Sequence, residues 1–302
     1  MISNLDYKIR SFFLKLDRRD YKSSKFLAFI YKLLNPIKFF KQNFLNIISE
    51  NEKNLQEEGF KQYSFESENL EKIIKRSNKI INSKFFYQQL DSSKKKFLQS
   101  YKINFFNKEN HIYLKLLFEN KFLNIIRGYL GKHLTLKEIN IFYSPNSNFE
   151  KGRSQEFHMD GDGNKQIKIF LYLNDVDSDG GPLTILPKKI SRKIFDIMKK
   201  KKRIVKKTNR VDDDSIRELN CEKYLKPLYG NTGTINLVDT SNCYHFGSRP
   251  GKKERFIVLY QFLDSFSYYL PSKSSKEKVI SSSDILNAKE IKIINNIVQY
   301  SN

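Results

Sequence analysis

The sequence predicts a mainly β domain, a sandwich or barrel of short antiparallel strands, entered through helices and closed by one. Three observations predict it. Short runs rich in β-branched and aromatic residues recur between about residues 139 and 263. Turn residues bound these runs. Helices come first, strands follow, and the two do not alternate, which argues against a doubly wound α/β sheet.

Taken in order, Lys25–Glu50 and Leu70–Asn82 place apolar residues three to four apart between polar ones, the helical spacing. Asn35-Pro36 should break or kink the first of these. Ile112–Leu130 repeats the pattern as one expected helix, with Gly131 as its C-cap. The strand runs are Ile139–Tyr143, Ile167–Leu173, Leu183–Leu186, Thr234–Val238 and Phe256–Leu263. Ser144-Pro145-Asn146, Asp179-Gly180-Gly181-Pro182, Gly230-Asn231-Thr232-Gly233 and Arg249-Pro250-Gly251 are the turns. Ile190–Arg217, with its Lys199–Lys207 basic run and Asp212-Asp213-Asp214, is too polar for a core strand and reads as a helix followed by an exposed loop. Ser283–Tyr300 reads as a C-terminal amphipathic helix with Ser283 or Asp284 at its N-cap. The expected organisation is an N-terminal basic helical segment at 1–60 and one domain at 61–302, with a Lys-rich insertion at 188–226.

Composition narrows the classes. The 302 residues are 39% hydrophobic and include 25 Phe and 17 Tyr, enough for a substantial core, so global disorder is excluded. The two Cys, Cys221 and Cys243, exclude a disulfide scaffold and lack the clustered spacing of a zinc knuckle. Lys+Arg is 55 against Asp+Glu 33, a net charge of +22, yet only 12 of the 55 are Arg and the Lys are scattered through every region. That pattern is compositional drift. No specific nucleic-acid partner is expected, although salt-dependent attraction to anions follows from the charge. No run reaches the ~18–20 apolar residues of a membrane span. The richest, Phe26–Ile48, is interrupted by Lys32, Pro36, Lys38, Lys41 and Asn43. It could make peripheral membrane contact as a basic amphipathic helix, but a helix packed on the domain is the favoured reading. The first residues carry charges throughout and no signal-peptide stretch, so a cytoplasmic protein is expected.

The chemistry concentrates in the strand region. Of the four His, His111 and His133 flank the helix at 112–130 and read as packing or surface imidazoles. His158-Met159-Asp160 stands just before the strand at 167–173. Residues i and i+2 of an extended chain share a face, so one imidazole and one carboxylate can aim at a common point. His245 follows the strand at 234–238, and ten residues on Arg255 opens the last strand. Two imidazoles and one carboxylate make the facial triad of non-haem Fe(II) oxygenases, which leaves coordination positions open. A bidentate 2-oxo acid and O2 can fill them. The far carboxylate of the 2-oxo acid needs a fixed cation, and an arginine fork suits it. Arg255 is favoured over Arg249, which falls in the Arg-Pro-Gly turn, where side chains usually face solvent. A barrel with incidental His stays open on the residues alone.

At His158-Met159-Asp160, Ile169–Pro187 and Gly230–Phe262 the sequence resembles the phytanoyl-CoA dioxygenase family, over roughly residues 138–265. The resemblance implies an α+β, mainly β fold whose core is a double-stranded β-helix (the jelly-roll, cupin-like barrel) with N-terminal and C-terminal helices. It implies Fe(II) on His158, Asp160 and His245, and 2-oxoglutarate held at its 5-carboxylate by Arg255. Asn140 matches a position near 2-oxoglutarate, and Phe170 an aromatic wall position. Implied too are hydroxylation of a small-molecule or acyl-type substrate with O2, and release of succinate and CO2. Gly181-Pro182-Leu183 and Leu186-Pro187 match the family's strand pair; Lys188-Lys189-Ile190 departs from the Gly-Ser-His that often follows. The insertion and the N-terminal helices are the candidate covers over the site. Competing readings are a prolyl-hydroxylase-like oxygenase acting on a peptide, a nucleic-acid-repair oxygenase of the same fold, and a non-catalytic binding barrel.

Overall fold

The computed structural model describes residues 50–90, 96–131, 134–147, 149, 154–163, 165–201, 209–264 and 279–298, with single positions at 12, 26, 29 and 33. Most of the helix expected at Lys25–Glu50, and with it the membrane-surface reading, together with His133 and most of the Lys199–Lys207 run, lie outside the described residues.

Among the described residues two antiparallel sheets form. The larger has the order β1 (Phe60–Tyr63), β9 (Ile235–Val238), β5 (Gln166–Tyr172), β11 (Arg255–Asp264), β3 (Leu134–Ser144), β2 (Gln99–Lys102). The smaller has the order β7 (Arg210–Val211), β4 (Phe157–His158), β10 (His245–Phe246), β6 (Thr184–Ile185), β8 (Lys226–Pro227). From β3 to β6, and again from β9 to β11, successive strands change sheet. That winding is the double-stranded β-helix, so the expected fold class is the observed one.

Strand alternation decides what each face of the larger sheet does. Ile167, Ile169 and Leu171 of β5, Ile235 and Leu237 of β9, and Val258, Tyr260 and Phe262 of β11 are all buried, in one cluster with Ile73, Leu116, Phe122 and Ile126 from the preceding helices and Ile294 from the C-terminal one. Each such side chain contributes about 1.5–3 kcal/mol through burial. The opposite face carries Gln166, Lys168, Phe170 and Tyr172 from β5, and Arg255, Ile257, Leu259 and Gln261 from β11. By register it also carries Glu138, Asn140 and Phe142 from β3 and Asn236 from β9. A helix-packed apolar face and a mixed polar face therefore come from the same strands.

The helix at Glu68–Ile81 is capped by Ser67, whose hydroxyl accepts from the Leu70 amide. The single helix expected over 112–130 is instead two, His111–Lys115 and Phe122–Leu130, joined through a 3-10 turn. Glu119 is extended there, and Asn120 and Lys121 are left-handed. Asn tolerates that conformation through its short polar side chain, and the apolar spacing on either side hides the break. The C-terminal helix begins at Ala288 rather than at the expected Ser283 or Asp284. Its N-cap is Asn287, with Glu290 closing a capping box. Ser283 serves elsewhere: its hydroxyl pairs with Nδ1 of the buried His111 and accepts from the Ile285 and Leu286 amides.

The insertion is also more ordered than a helix and an exposed loop. Its helix, Lys188–Lys200, lays Ile194 and Met198 against Phe157, Met159 and Tyr244. The described part of the insertion thus buttresses the smaller sheet. Arg210–Val211 returns as β7 beside β4, and a short helix at Asp213–Glu218 starts from Asp212, whose carboxylate accepts from the Ser215 amide. A lone buried Val among charges gives no strand pattern in sequence. No helix among the described residues is long and apolar enough to cross a membrane.

Candidate metal centre

β4 and β10 are neighbours, and their register sets His245 directly opposite His158. Cross-strand partners project to one face, and the two imidazole centroids stand 4.2 Å apart. Each ring is oriented by its own backbone. Nδ1 of His158 lies 2.9 Å from the Glu156 carbonyl, and Nδ1 of His245 lies 2.9 Å from the Cys243 carbonyl. A carbonyl can only accept, so both Nδ1 atoms carry a proton, and in the neutral ring each Nε2 keeps the lone pair. Those Nε2 atoms face Asp160: His158 Nε2 is 3.7 Å from Oδ1, and His245 Nε2 is 3.9 Å from Oδ2.

The loop at 239–243 ties the halves together. The Asp160 amide donates to the Thr240 carbonyl at 2.8 Å. Asp239, fully buried, accepts from the Ser241 and Asn242 amides, from the Asn242 side chain and from the Tyr129 hydroxyl. Burial pushes the Asp239 carboxyl up, against the donors that pull it down. Lys188 Nζ reaches the Tyr129 hydroxyl at 2.9 Å. Gly59 presses on this loop: a Cβ there would meet the Cys243 sulfur at 2.3 Å, and its φ of +83 suits glycine.

The donor set fits a metal ion. One ligand atom from each of His158, Asp160 and His245 lies within 4.8 Å of the others. Ligands about 2.0–2.2 Å from a shared ion stand roughly 3–3.5 Å apart, so donors within 4.8 Å of one another close on an ion by side-chain adjustment of about an ångström or less each. Two imidazoles, ligating in their neutral form, and a carboxylate would leave positions open for exogenous ligands.

The sequence reading missed Lys168. Its ammonium lies 2.7 Å from Asp160 Oδ2, with both side chains largely buried. Burial opposes the Asp160 charge, but Lys168, then His245 and His158, outweigh it and hold the carboxyl well below its usual range. Burial likewise opposes the Lys168 charge, and Asp160 more than offsets it. The signal was present: Lys168 is the lone charge inside an otherwise apolar run.

Arg255 is buried at the start of β11. Nη1 donates to the Gly181 carbonyl at 2.5 Å and Nη2 to the Ser248 hydroxyl at 2.8 Å. Its Nε is buried without a hydrogen-bond partner, and desolvation lowers the guanidinium's pKa. Among the described residues no carboxylate pairs with this buried guanidinium. Ser248, which it touches, and Gly247, beside its Nη2, follow His245 in the chain. Arg249 differs from expectation. Instead of facing solvent it stacks 3.4 Å from the Phe246 ring centroid, pairs with Asp213 at 2.7 Å and donates to the Gln155 carbonyl. Its fork is therefore committed. Asn140 is buried on the inner face, in register with Leu259, and Phe170 shares that face.

No family model and no curated protein matches the sequence. Among solved structures, the epimerase SnoN, crystallised with Fe3+, α-ketoglutarate and nogalamycin RO, is similar at a TM-score of 0.49 and 10% identity, over 78% of this chain and 91% of SnoN. HygX from Streptomyces hygroscopicus, with nickel and 2-oxoglutarate, gives 0.47 and 10% over 76% and 92%. A Pseudomonas putida prolyl-4-hydroxylase gives 0.42 and 16% over 69% and 94%. Likenesses this distant assign no chemistry to this chain.

Proposed function

We propose that the protein is a non-haem Fe(II)- and 2-oxoglutarate-dependent dioxygenase that hydroxylates a small molecule. The observation that carries it is the convergence of two oriented Nε2 lone pairs on the Asp160 carboxylate. His158, Asp160 and His245 would hold the ion. Arg255 would take the 5-carboxylate of 2-oxoglutarate, and Asn140 offers a polar contact on the same inner face. When bound, iron and the 2-oxo acid supply the oxidising chemistry: substrate, O2 and 2-oxoglutarate give hydroxylated substrate, succinate and CO2. No side chain has to act as a general base. The protein's own work is to bind, orient and exclude water. Tethering each imidazole through Nδ1 fixes the donor direction before the metal arrives. The phytanoyl-CoA dioxygenase type is supported by the Gly181-Pro182-Leu183 and Leu186-Pro187 strand pair and by the order of the site residues along the chain.

The test is 2-oxoglutarate decarboxylation with Fe(II) and O2, which proceeds slowly even without the true substrate. Stoichiometric succinate and CO2 are expected, and none with the His158→Ala protein. A folded, iron-loaded protein that forms no succinate contradicts the reading and favours a binding barrel.

A further inference from the structure

Asp160 has two oxygens, and they are not equivalent. Oδ2 carries the Lys168 ammonium at 2.7 Å and stands 3.9 Å from His245 Nε2, whereas Oδ1 stands 3.7 Å from His158 Nε2 and is the oxygen away from the ammonium. Lys168 is committed there by its surroundings. It projects from the inner face of β5, and desolvating an ammonium costs several kcal/mol unless a carboxylate is close. The next carboxylate, Asp162, already accepts from Lys137 at 3.1 Å and from the Gln261 amide at 2.8 Å. The Asp160 main chain is held by its bond to Thr240, which keeps the carboxylate within reach of the lysine.

A carboxylate can ligate through one oxygen or through both. Bidentate ligation would consume one of the positions that the facial arrangement otherwise leaves open. A cation seated on Oδ2 takes one of its lone pairs and repels a dication from that side. Resting on the metal role proposed for Asp160, we infer that Lys168 is a positioning residue that restricts Asp160 to a single metal-binding oxygen and so keeps the coordination sphere open for a bidentate 2-oxo acid.

The experiment uses Mn(II) as the probe on the full chain, in wild type, Lys168→Met, Lys168→Gln and Lys168→Arg. The water-proton relaxivity of bound Mn(II) counts the exchangeable waters on the ion and needs no turnover. Lys168→Met should lose about one third of the wild-type relaxivity per bound ion, as a second carboxylate oxygen displaces one of about three waters. Its 2-oxoglutarate Kd, measured on the Mn(II) form, should rise about tenfold or more. Lys168→Arg, which keeps the cation, should stay near wild type in both. Lys168→Gln carries the same test should the methionine variant fail to fold, and preparing either variant with Mn(II) present restores positive charge beside Asp160. Relaxivity and 2-oxoglutarate affinity unchanged in the neutral variants overturn the inference, as does an arginine variant as impaired as the neutral ones. If wild type binds Mn(II) but not 2-oxoglutarate, the oxygenase reading fails while the water count still judges Lys168. If wild type binds no Mn(II), both fall.

Discussion

The two sheets divide the work unequally. The larger is built of strands up to eleven residues long whose helix-facing side is a continuous apolar layer. Every strand of the smaller is two residues long, yet it carries both imidazoles. Two-residue strands bury too little to hold register by themselves. Their alignment comes from outside: from the helix behind them through Ile194 and Met198, from the Ser191 hydroxyl that accepts from the Tyr244 amide, and from the Asp239-centred loop. The difference teaches that site precision here is borrowed from packing and loop hydrogen bonds, while fold stability resides in the larger sheet.

That division can be broken from either side. The largest effect should come from the smaller sheet: His158→Ala or His245→Ala should weaken Fe(II) or Mn(II) binding more than about a hundredfold, with little change in the melting temperature of the metal-free protein. Calorimetric titration alongside thermal melts checks it, and loss of folding in place of metal would erase the distinction. The larger sheet should respond in the opposite way. Leu237→Ala removes a fully buried side chain from the helix-packed face and should cost about 2–5 kcal/mol. Denaturant unfolding measures that cost, and the metal affinity of the remaining folded protein should stay within about threefold of wild type.

Arg255 sharpens the boundary, because it lies on the larger sheet but faces inward. Arg255→Ala should raise the 2-oxoglutarate Kd by about ten- to a hundredfold and leave metal bound, as expected when a buried charge partner is removed. Arg249→Ala should lower stability by about 1–2 kcal/mol, through lost contact with Phe246 and Asp213, and leave 2-oxoglutarate binding alone. The reverse pattern in the two variants would move the anion site to Arg249.

This unevenness also explains what could be read from the sequence. The long strands announced themselves because runs such as Ile167–Leu173 and Phe256–Leu263 must be apolar on at least one face. β4, β7, β8 and β10 left no periodicity, since two residues cannot show a period. β1 and β2 escaped as well; their four-residue segments are half-polar at the sheet edges. His158, Asp160 and His245 were legible through chemistry, as rare residue types at a metal-compatible spacing. Lys168 was not, because one lysine in a chain with 55 basic residues looks like background until its strand neighbours show that it points inward. The kink at Glu119–Lys121 escaped because both flanking segments keep helical spacing.

The most direct test of the central claim is anaerobic addition of Fe(II) and then 2-oxoglutarate to the metal-free protein, followed by visible absorption. The account predicts a weak metal-to-ligand charge-transfer band that requires both additions and vanishes in His245→Ala. Absence of that band in folded wild-type protein, or its persistence in the variant, would contradict the claim that His158, Asp160 and His245 together hold an iron ion open to a 2-oxo acid.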